Sequence, residues 1–321
     1  MKVTVICPVY NESKFIVNVL EFCVNAMPLD KEIFFVDGSS SDNTCELINQ
    51  YAAKHSNIKL LHNPDRYVPY ALNKAIRQAT GDIVVRLDAH TLYANDYFEK
   101  IIEVFGKINA DIVGGPMRIA KGSELQEAVG HATSTSFGIG NSSFHFENFE
   151  GFTDSVYLGA WKRKIFDVTG LFDESLVRNQ DDEFHYRAKS KGFKIYQSPE
   201  IKLYYFPRNS FKTLFKQYYQ YGLYKPLVLQ KIKSAISIRH IVPMGFVCYL
   251  ISLLFFALLG WYWMFLPLAL YILANLYSSA ASKQNIAQIF RIAVSYSILH
   301  IAYGTGFIVG LVRLPFVNPS K

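Results

Sequence analysis

The sequence predicts an α/β domain with a mostly parallel central sheet over residues 1–208. A basic amphipathic stretch over 209–240 follows, then a region of about three transmembrane helices over 241–321. Three observations carry this. Short β-branched apolar runs alternate with stretches of helical periodicity, the pattern of βαβ units. Polar clusters follow directly after several of those runs. From Ile241 on, three long apolar stretches contain no Asp or Glu.

In chain order, Val3 to Val9 reads as the first strand, and Pro8-Val9-Tyr10-Asn11-Glu12 turns out of it. Phe15, Val19 and Phe22 recur at helical spacing. Glu32 to Val36 is the second strand, and Asp37-Gly38-Ser39-Ser40-Ser41-Asp42 supplies caps for a helix burying Leu47, Ile48 and Tyr51. Ile58 to Leu61 is the third strand and Ala71 to Ala79 a helix. Val84-Val85-Arg86-Leu87 is the fourth, preceded by the Gly81-Asp82 turn. Ile112-Val113 begins a fifth, stopped by Gly114-Gly115-Pro116. Ala120 to Phe152, rich in Gly, Ser, Asn and Thr, is expected to be a long loop, either a flap or a linker. Val156 to Trp161 returns to strand character, Arg163 to Val168 is a helix, and Arg178 to Arg187 opens another on an acidic cluster.

Charge is divided along the chain. Residues 1–200 hold all 26 acidic residues against 21 of the 33 basic ones, and everything from Ile201 onward carries the remaining twelve basic residues unopposed. A basic segment running into apolar stretches points to an anionic membrane surface rather than to nucleic acid. Lys212, Lys216, Lys225, Lys231 and Lys233 interleave with Phe, Tyr, Leu and Ile, as in helices lying in a membrane interface. The stretches Ile241–Gly260, Tyr262–Ala281 and Ile289–Val312 each reach the roughly 20 residues a span requires. Trp261, Tyr262 and Trp263 form an aromatic belt between the first two, while Arg239, Lys283 and Arg291 mark the opposite side. The distribution of positive charge puts the front of the chain in the cytoplasm, in a multi-pass protein of the inner cell membrane. The N-terminal apolar run is too short for a signal peptide. Gly306-x-x-x-Gly310 offers a close helix contact, and His300 is expected to hydrogen-bond a neighbouring helix. The four cysteines show no metal-ligand spacing and read as reduced core residues.

Asn11-Glu12, Asp37-Gly38-Ser39 and Asp88-Ala89-His90 all lie just past strands, so they outline a crevice at one sheet edge. Asp88 and His90 can turn toward one divalent cation, or simply close an Asx turn. The cluster Gln180-Asp181-Asp182-Glu183 can cap a helix or supply a base for an acceptor hydroxyl. Neither a P-loop nor a convincing G-x-G-x-x-G is present, which excludes P-loop NTPases and dinucleotide dehydrogenases.

Taken in order, these motifs resemble the family 2 glycosyltransferases of the GT-A fold, most of all the membrane-anchored succinoglycan-type exopolysaccharide glucosyltransferases. Pro8-Val9-Tyr10-Asn11-Glu12 is similar to the family's opening motif and Asp37 to Asp42 to its uracil-binding turn. Asn63-Pro64-Asp65-Arg66 and Leu72-Asn73-Lys74-Ala75 match the segment before the metal motif, and Asp88-Ala89-His90 stands at its D-x-D. Gly159 matches the acceptor-side strand, and Gln180-Asp181-x-Glu183-Phe184-x-x-Arg187 the motif carrying the base. The resemblance implies an inverting transferase moving a sugar, glucose in the succinoglycan case, from a UDP-sugar to a polyprenyl-diphosphate-linked glycan. Asp181 would be the base. Pro8, Tyr10, Glu12, Asp37, Ser39, Arg66, Asn73, Gly159, Asp182 and Arg187 would line the substrates, and Asp88 and His90 would hold Mg2+ or Mn2+. The membrane and other surface-glycan assembly proteins are the implied partners; nucleic acid is not. His90 and Gln180 depart from the family pattern, and Gln217-Tyr218-Tyr219-Gln220-Tyr221 lacks the Arg and Trp of processive synthases, which implies one sugar per encounter. A polyprenyl-phosphate sugar synthase and a non-catalytic membrane-anchored binding protein are the competing readings.

Overall fold

In the computed structural model, which describes residues 1–140, 143–232 and 237–314, the chain divides into two compact units. The first comprises Met1–Ala120 and Phe146–Tyr205, the second Lys121–His145 and Phe206–Lys321.

The first unit is built on β1 (Val3–Val9), β2 (Lys31–Asp37), β3 (Ile58–His62) and β4 (Ile83–Arg86), with α1 (Ile16–Asn25), α2 (Thr44–Ala52) and α3 (Val68–Ile76) between them. Next come β5 (Thr91–Tyr93), α4 (Tyr97–Lys107), β6 (Ile112–Gly114) and β7 (Met117–Ile119). After a gap in sequence it resumes with β8 (Gly151–Phe152), β9 (Ala160–Lys162), α7 (Ile165–Thr169), α8 (Gln180–Ser190), β10 (Ile195–Gln197) and β11 (Leu203–Tyr205). The main sheet runs β3-β2-β1-β4-β9-β6-β10-β8, and a smaller one runs β5-β11-β7. β1 pairs in parallel with β2 on one side and β4 on the other, so strand order reverses there. The carboxyl ends on either side of such a reversal form a natural ligand crevice. β9 runs against both β4 and β6.

Helices cover both faces of the sheet, which is why its strands read as unbroken apolar runs. Val3, Val5, Cys7, Ile33 and Phe35 pack with Ile16, Leu20, Phe98 and Ile101 on one face. Ile6, Phe34, Val36 and Val84 pack with Leu72, Ile76, Phe166 and Phe184 on the other. Of the positions expected on the inner face of α1, Val19 is buried and Phe22 packs partly buried on the core, whereas Phe15 precedes the helix and is 43% exposed; Ile16, Leu20 and Cys23 complete the buried face.

The second unit joins α5 (Glu124–Thr133) and α6 (Ser136–Ile139) to α9 (Phe211–Lys231), α10 (Ile238–Leu258), α11 (Leu266–Ala280) and α12 (Ile286–Arg313). The expected loop over 120–152 is therefore helical in its first part. Ser123 and Gln126 form a reciprocal capping box, and Ala128, Val129 and Ala132 lie on one face against Leu214, Ile292, Tyr296 and Leu299. The small residues of that face give it a weak apolar periodicity. The residues 141–142 of that stretch, Lys233, and the terminal 315–321 lie outside the described residues.

Three segments, Ile238–Leu258, Tyr262–Ala280 and Ile286–Arg313, are long and apolar enough to cross a membrane. His300 bonds Tyr271 Oη through Nδ1 and the Phe137 carbonyl through Nε2, both at 2.9 Å, which answers its placement among apolar residues. Within the basic stretch, Phe211–Lys231 forms helix α9, packed along α12. Glycines permit it: a Cβ on Gly306 would come within 2.1 Å of the Tyr219 carbonyl oxygen, and one on Gly310 within 2.4 Å of that of Leu223. Gly306→Val should therefore force α9 and α12 apart and cost roughly 1–3 kcal/mol. Thermal unfolding in detergent checks this, and an unchanged midpoint would refute the seam.

Candidate active site

The first two loops of the sheet edge are locked together by short-range bonds. Asp37 closes β2 and is 3% exposed; its carboxylate accepts the backbone N–H of Ser39 (3.0 Å) and Ser40 (3.1 Å to Oδ2). Those bonds hold Ser39 in the left-handed region, at φ +65°. Asn11 Oδ1 accepts Ser41 N–H (2.8 Å), while Asn11 N–H donates to Ser40 Oγ (2.8 Å). Glu12 N–H donates to Thr44 Oγ1 (2.8 Å). Pro8 sits opposite Val36 within the β1–β2 ladder, and Tyr10 projects half-exposed beyond it. Arg66, at φ +66°, lays its backbone so close to Gly38 that a Cβ there would meet the Arg66 carbonyl oxygen at 3.1 Å. Its side chain is left exposed at the rim.

The third loop leaves β4. Arg86 and Asp88 lie two residues apart in extended chain and so share a side. Arg86 is buried, and its Nε and Nη2 donate to Asp88 Oδ1 at 3.3 and 3.1 Å. Asp88 N–H donates to Tyr93 Oη (2.7 Å), which donates back to the Asp88 carbonyl (3.1 Å). Burial first, and then the Asp88 charge, raise the Tyr93, Tyr97 and Tyr157 phenols, so they stay neutral hydrogen-bonding groups. His90 turns Nδ1 toward Glu12 Oε1 at 3.2 Å, tying this loop to the first.

The fourth part comes from β9 and α8. Arg86 N–H donates to the Gly159 carbonyl (3.2 Å), and Leu158 and Gly159 take φ +59° and +76° to make the turn into β9. A side chain at Gly159 would strike the Trp161 ring at 2.9 Å. Trp161, fully buried opposite Val84, packs edge-on against Phe184 and tilted over His185, both on α8. α8 thereby starts near the end of β4, with Asp181, Asp182 and Glu183 in its first turn. Burial would lower the Arg86 pKa; the opposing charges of Asp88 and then Asp181 outweigh it and raise it. Asp181 is thus within electrostatic reach of the group holding Asp88. His185 bonds Ser155 Oγ through Nδ1 (2.9 Å) and is kept neutral chiefly by burial.

Two of the expected substrate residues make framework hydrogen bonds. The Asn73 amide donates to the Phe172 carbonyl (2.9 Å) and Glu174 Oε1 (2.8 Å) and accepts Phe172 N–H (2.9 Å), so it pins the 172–174 turn. Arg187 binds Glu183 (2.7 and 2.9 Å) and the carbonyls of Thr169 and Leu171, fastening α8 to the end of α7. Asn73→Ala should cost roughly 1–3 kcal/mol of stability through the backbone groups it strands. A loss of activity with an unchanged unfolding midpoint would contradict this structural role. Sequence pattern assigns no role to Arg86, Tyr93 or His185. The available signal was Arg86 itself, a charged residue ending an apolar strand two positions before Asp88.

Among the described residues, no three His, Cys, Asp or Glu side chains gather to enclose a metal ion. The donor set nonetheless fits a hard cation. Arg86 occupies Asp88 Oδ1, Oδ2 accepts no hydrogen bond among the described residues, and the Asp88 side chain is 21% exposed. One carboxylate with nucleotide phosphates and water is a common way to hold Mg2+.

The family model for glycosyl transferase family 2 matches residues 4–169. The chain belongs to family 2 of the glycosyltransferases. This family 2 glycosyltransferase is 30% identical to a Methanococcus voltae dolichyl N-acetyl-alpha-D-glucosaminyl phosphate 3-beta-D-2,3-diacetamido-2,3-dideoxy-beta-D-glucuronosyltransferase, over 97% of each chain. It is 28% identical to the succinoglycan biosynthesis protein ExoA of Rhizobium meliloti, over 75% of this chain and 74% of that one. Among solved structures, the mannosyltransferase PcManGT of Pyrobaculum calidifontis, in complex with GDP-Man and Mn2+, shares the GT-A fold. Its TM-score is 0.62 at 19% identity, covering 97% of this chain and 86% of that one.

Proposed function

We propose that this family 2 glycosyltransferase transfers one sugar from a UDP-sugar to a hydroxyl of a polyprenyl-(di)phosphate-linked glycan at the cytoplasmic face of a membrane. The observation that supports the reading is the edge of the parallel sheet where Asp37 closes β2, Glu12 and Asp88 follow β1 and β4, and the buried Arg86 holds Asp88. The names of two relatives, one acting on a dolichyl sugar phosphate and one in succinoglycan biosynthesis, support the acceptor class. Three apolar helices capable of crossing a membrane support a surface-bound acceptor.

In this reading Asp37 and the Ser39–Ser40 turn hold the uridine, with Pro8, Tyr10 and Arg66 at the rim, and Gly159 and Asp182 border the acceptor. Asp88 and His90 would hold Mg2+ or Mn2+, which when bound supplies charge stabilisation for the departing diphosphate. Asp181 accepts the proton of the acceptor hydroxyl as its oxygen bonds the anomeric carbon and the bond to the UDP oxygen breaks. A single displacement inverts that carbon, so an α-linked donor yields a β-glycoside. Glucose as donor sugar and surface-glycan assembly proteins as partners follow from the succinoglycan resemblance.

The test incubates membranes containing the protein with labelled nucleotide sugars and a lipid extract. The expected result is label in a lipid-soluble product made from a UDP-sugar only when a glycan-bearing lipid is present. Label joined directly to polyprenyl phosphate, released by mild acid as the monosaccharide, would replace this reading with a polyprenyl-phosphate sugar synthase. No transfer from any donor would leave a binding protein.

A further inference from the structure

We infer that the cleft between α1 and residues 91–99 is a carbohydrate subsite for neutral sugar units of the acceptor glycan, an assignment resting on the reaction proposed above. The cleft has a volume of about 710 Å³, inside the range of roughly 300–1,000 Å³ typical of small-molecule sites. On α1, Asn18, Phe22 and Asn25 recur at i, i+4 and i+7 and so share one face. That face lies away from Ile16, Leu20 and Cys23, which are buried in the core. The facing wall is β5 and the turn into α4, which contribute Thr91, Tyr93, Asn95 and Asp96. Both walls continue loops of the active site. α1 follows the Glu12 turn and β5 follows His90, and the Glu12–His90 bond (3.2 Å) ties those loops together. Tyr93 belongs to both regions, since its ring lines the cleft and its Oη holds the Asp88 backbone (2.7 Å).

The lining selects the class of ligand. Phe22 and Tyr93 stack at 5.1 Å with their rings 23° apart, an aromatic surface against which the apolar CH face of a pyranose can pack. Around them stand amides that the fold does not use. Asn11, Asn57, Asn63 and Asn73 commit their side chains to hydrogen bonds. The side chains of Asn18, Asn25 and Asn95 make none among the described residues. Asp96 is the N-cap of α4, yet its carboxylate makes no capping bond, although an aspartate at that position ordinarily does. Thr91 is 3% exposed and lies beside the Tyr157 phenol, but its Oγ1 meets hydrogen-bond geometry with no described group. Amides and hydroxyls both donate and accept, which suits the hydroxyls at the rim of a sugar. No Lys or Arg among the described residues lines the cleft, while Glu21, Asp96 and Glu99 do, so a nucleotide or free phosphate is repelled. Nor do those carboxylates gather to enclose a metal ion.

Equilibrium binding to the full-length protein in detergent tests this. The probe is the pool of neutral oligosaccharides released by mild acid from the lipid extract and labelled at the reducing end, with UDP as the comparison ligand. Asn18→Ala combined with Asn95→Ala removes one exposed amide from each wall and leaves the core intact. The pair is expected to weaken oligosaccharide binding and to raise the acceptor KM, each about tenfold, with UDP affinity and donor KM within about twofold of the parent. Phe22→Leu keeps an apolar side chain but removes the ring, and should weaken oligosaccharide binding by a similar factor while UDP binding stays parental. Parental oligosaccharide binding in the asparagine pair, or none in the parent, overturns the inference, as does an equal loss of UDP and oligosaccharide affinity. Oligosaccharide binding that falls in the cleft variants while the parent transfers no sugar would instead refute the proposed reaction and keep the subsite.

Discussion

Asp181→Asn is expected to lower sugar transfer by 10²–10⁴-fold, the range a positioned general base contributes, while leaving UDP affinity within about twofold. The amide keeps the shape and the acceptor for the Asp182 N–H, which Asp181 Oδ1 takes at 3.0 Å, but cannot accept the hydroxyl proton. Asp181 is the position that matches the family's motif, and Asp182 stands beside it in the same first turn of α8. The helix dipole stabilises both in the first turn and does not separate them. Parallel assays of Asp181→Asn and Asp182→Asn decide the matter, with donor KM and kcat measured separately. Wild-type turnover in the first, or a larger loss in the second, would move the base by one residue.

The parallel strands were legible because burial on both faces demands unbroken apolar runs, and β1 begins and ends where the pattern predicts. The loops after β1, β2 and β4 were legible for a related reason: three polar clusters directly after strands share one edge of a βαβ sheet. What pattern alone could not reveal is which polar groups are consumed internally. Asn73 and Arg187 belong to motif-like segments, yet their bonds close turns at 172–174 and 169–171, partners about a hundred residues away for Asn73 and only one helix away for Arg187. Arg86 is the opposite case: a charged residue in an apolar strand whose partners, the Asp88 carboxylate and the Gly159 carbonyl, strand pattern does not disclose. Pattern does not disclose α5, because its buried face is made mainly of Ala and Val, whose apolar signal is weak beside the Gly, Ser and Thr around them.

Removing the charge of Asp88 should have the second large effect, and the choice of substitution matters. Asp88→Ala would strand a buried guanidinium, and breaking such a pair costs about 3–5 kcal/mol of stability in its own right. Asp88→Asn keeps an acceptor for Arg86 and leaves the backbone bonds to Tyr93 untouched, so it isolates the loss of negative charge. With that charge gone, the stimulation of UDP binding by Mg2+ or Mn2+ should disappear. The transfer rate should fall by roughly 10³-fold, the equivalent of about 4 kcal/mol of charge stabilisation at 1.36 kcal/mol per decade. Calorimetric titration of UDP with and without each metal reads the binding directly, independent of turnover. Metal-stimulated UDP binding that survives in Asp88→Asn would mean that Glu12 and His90, joined at 3.2 Å, mark the cation's position instead.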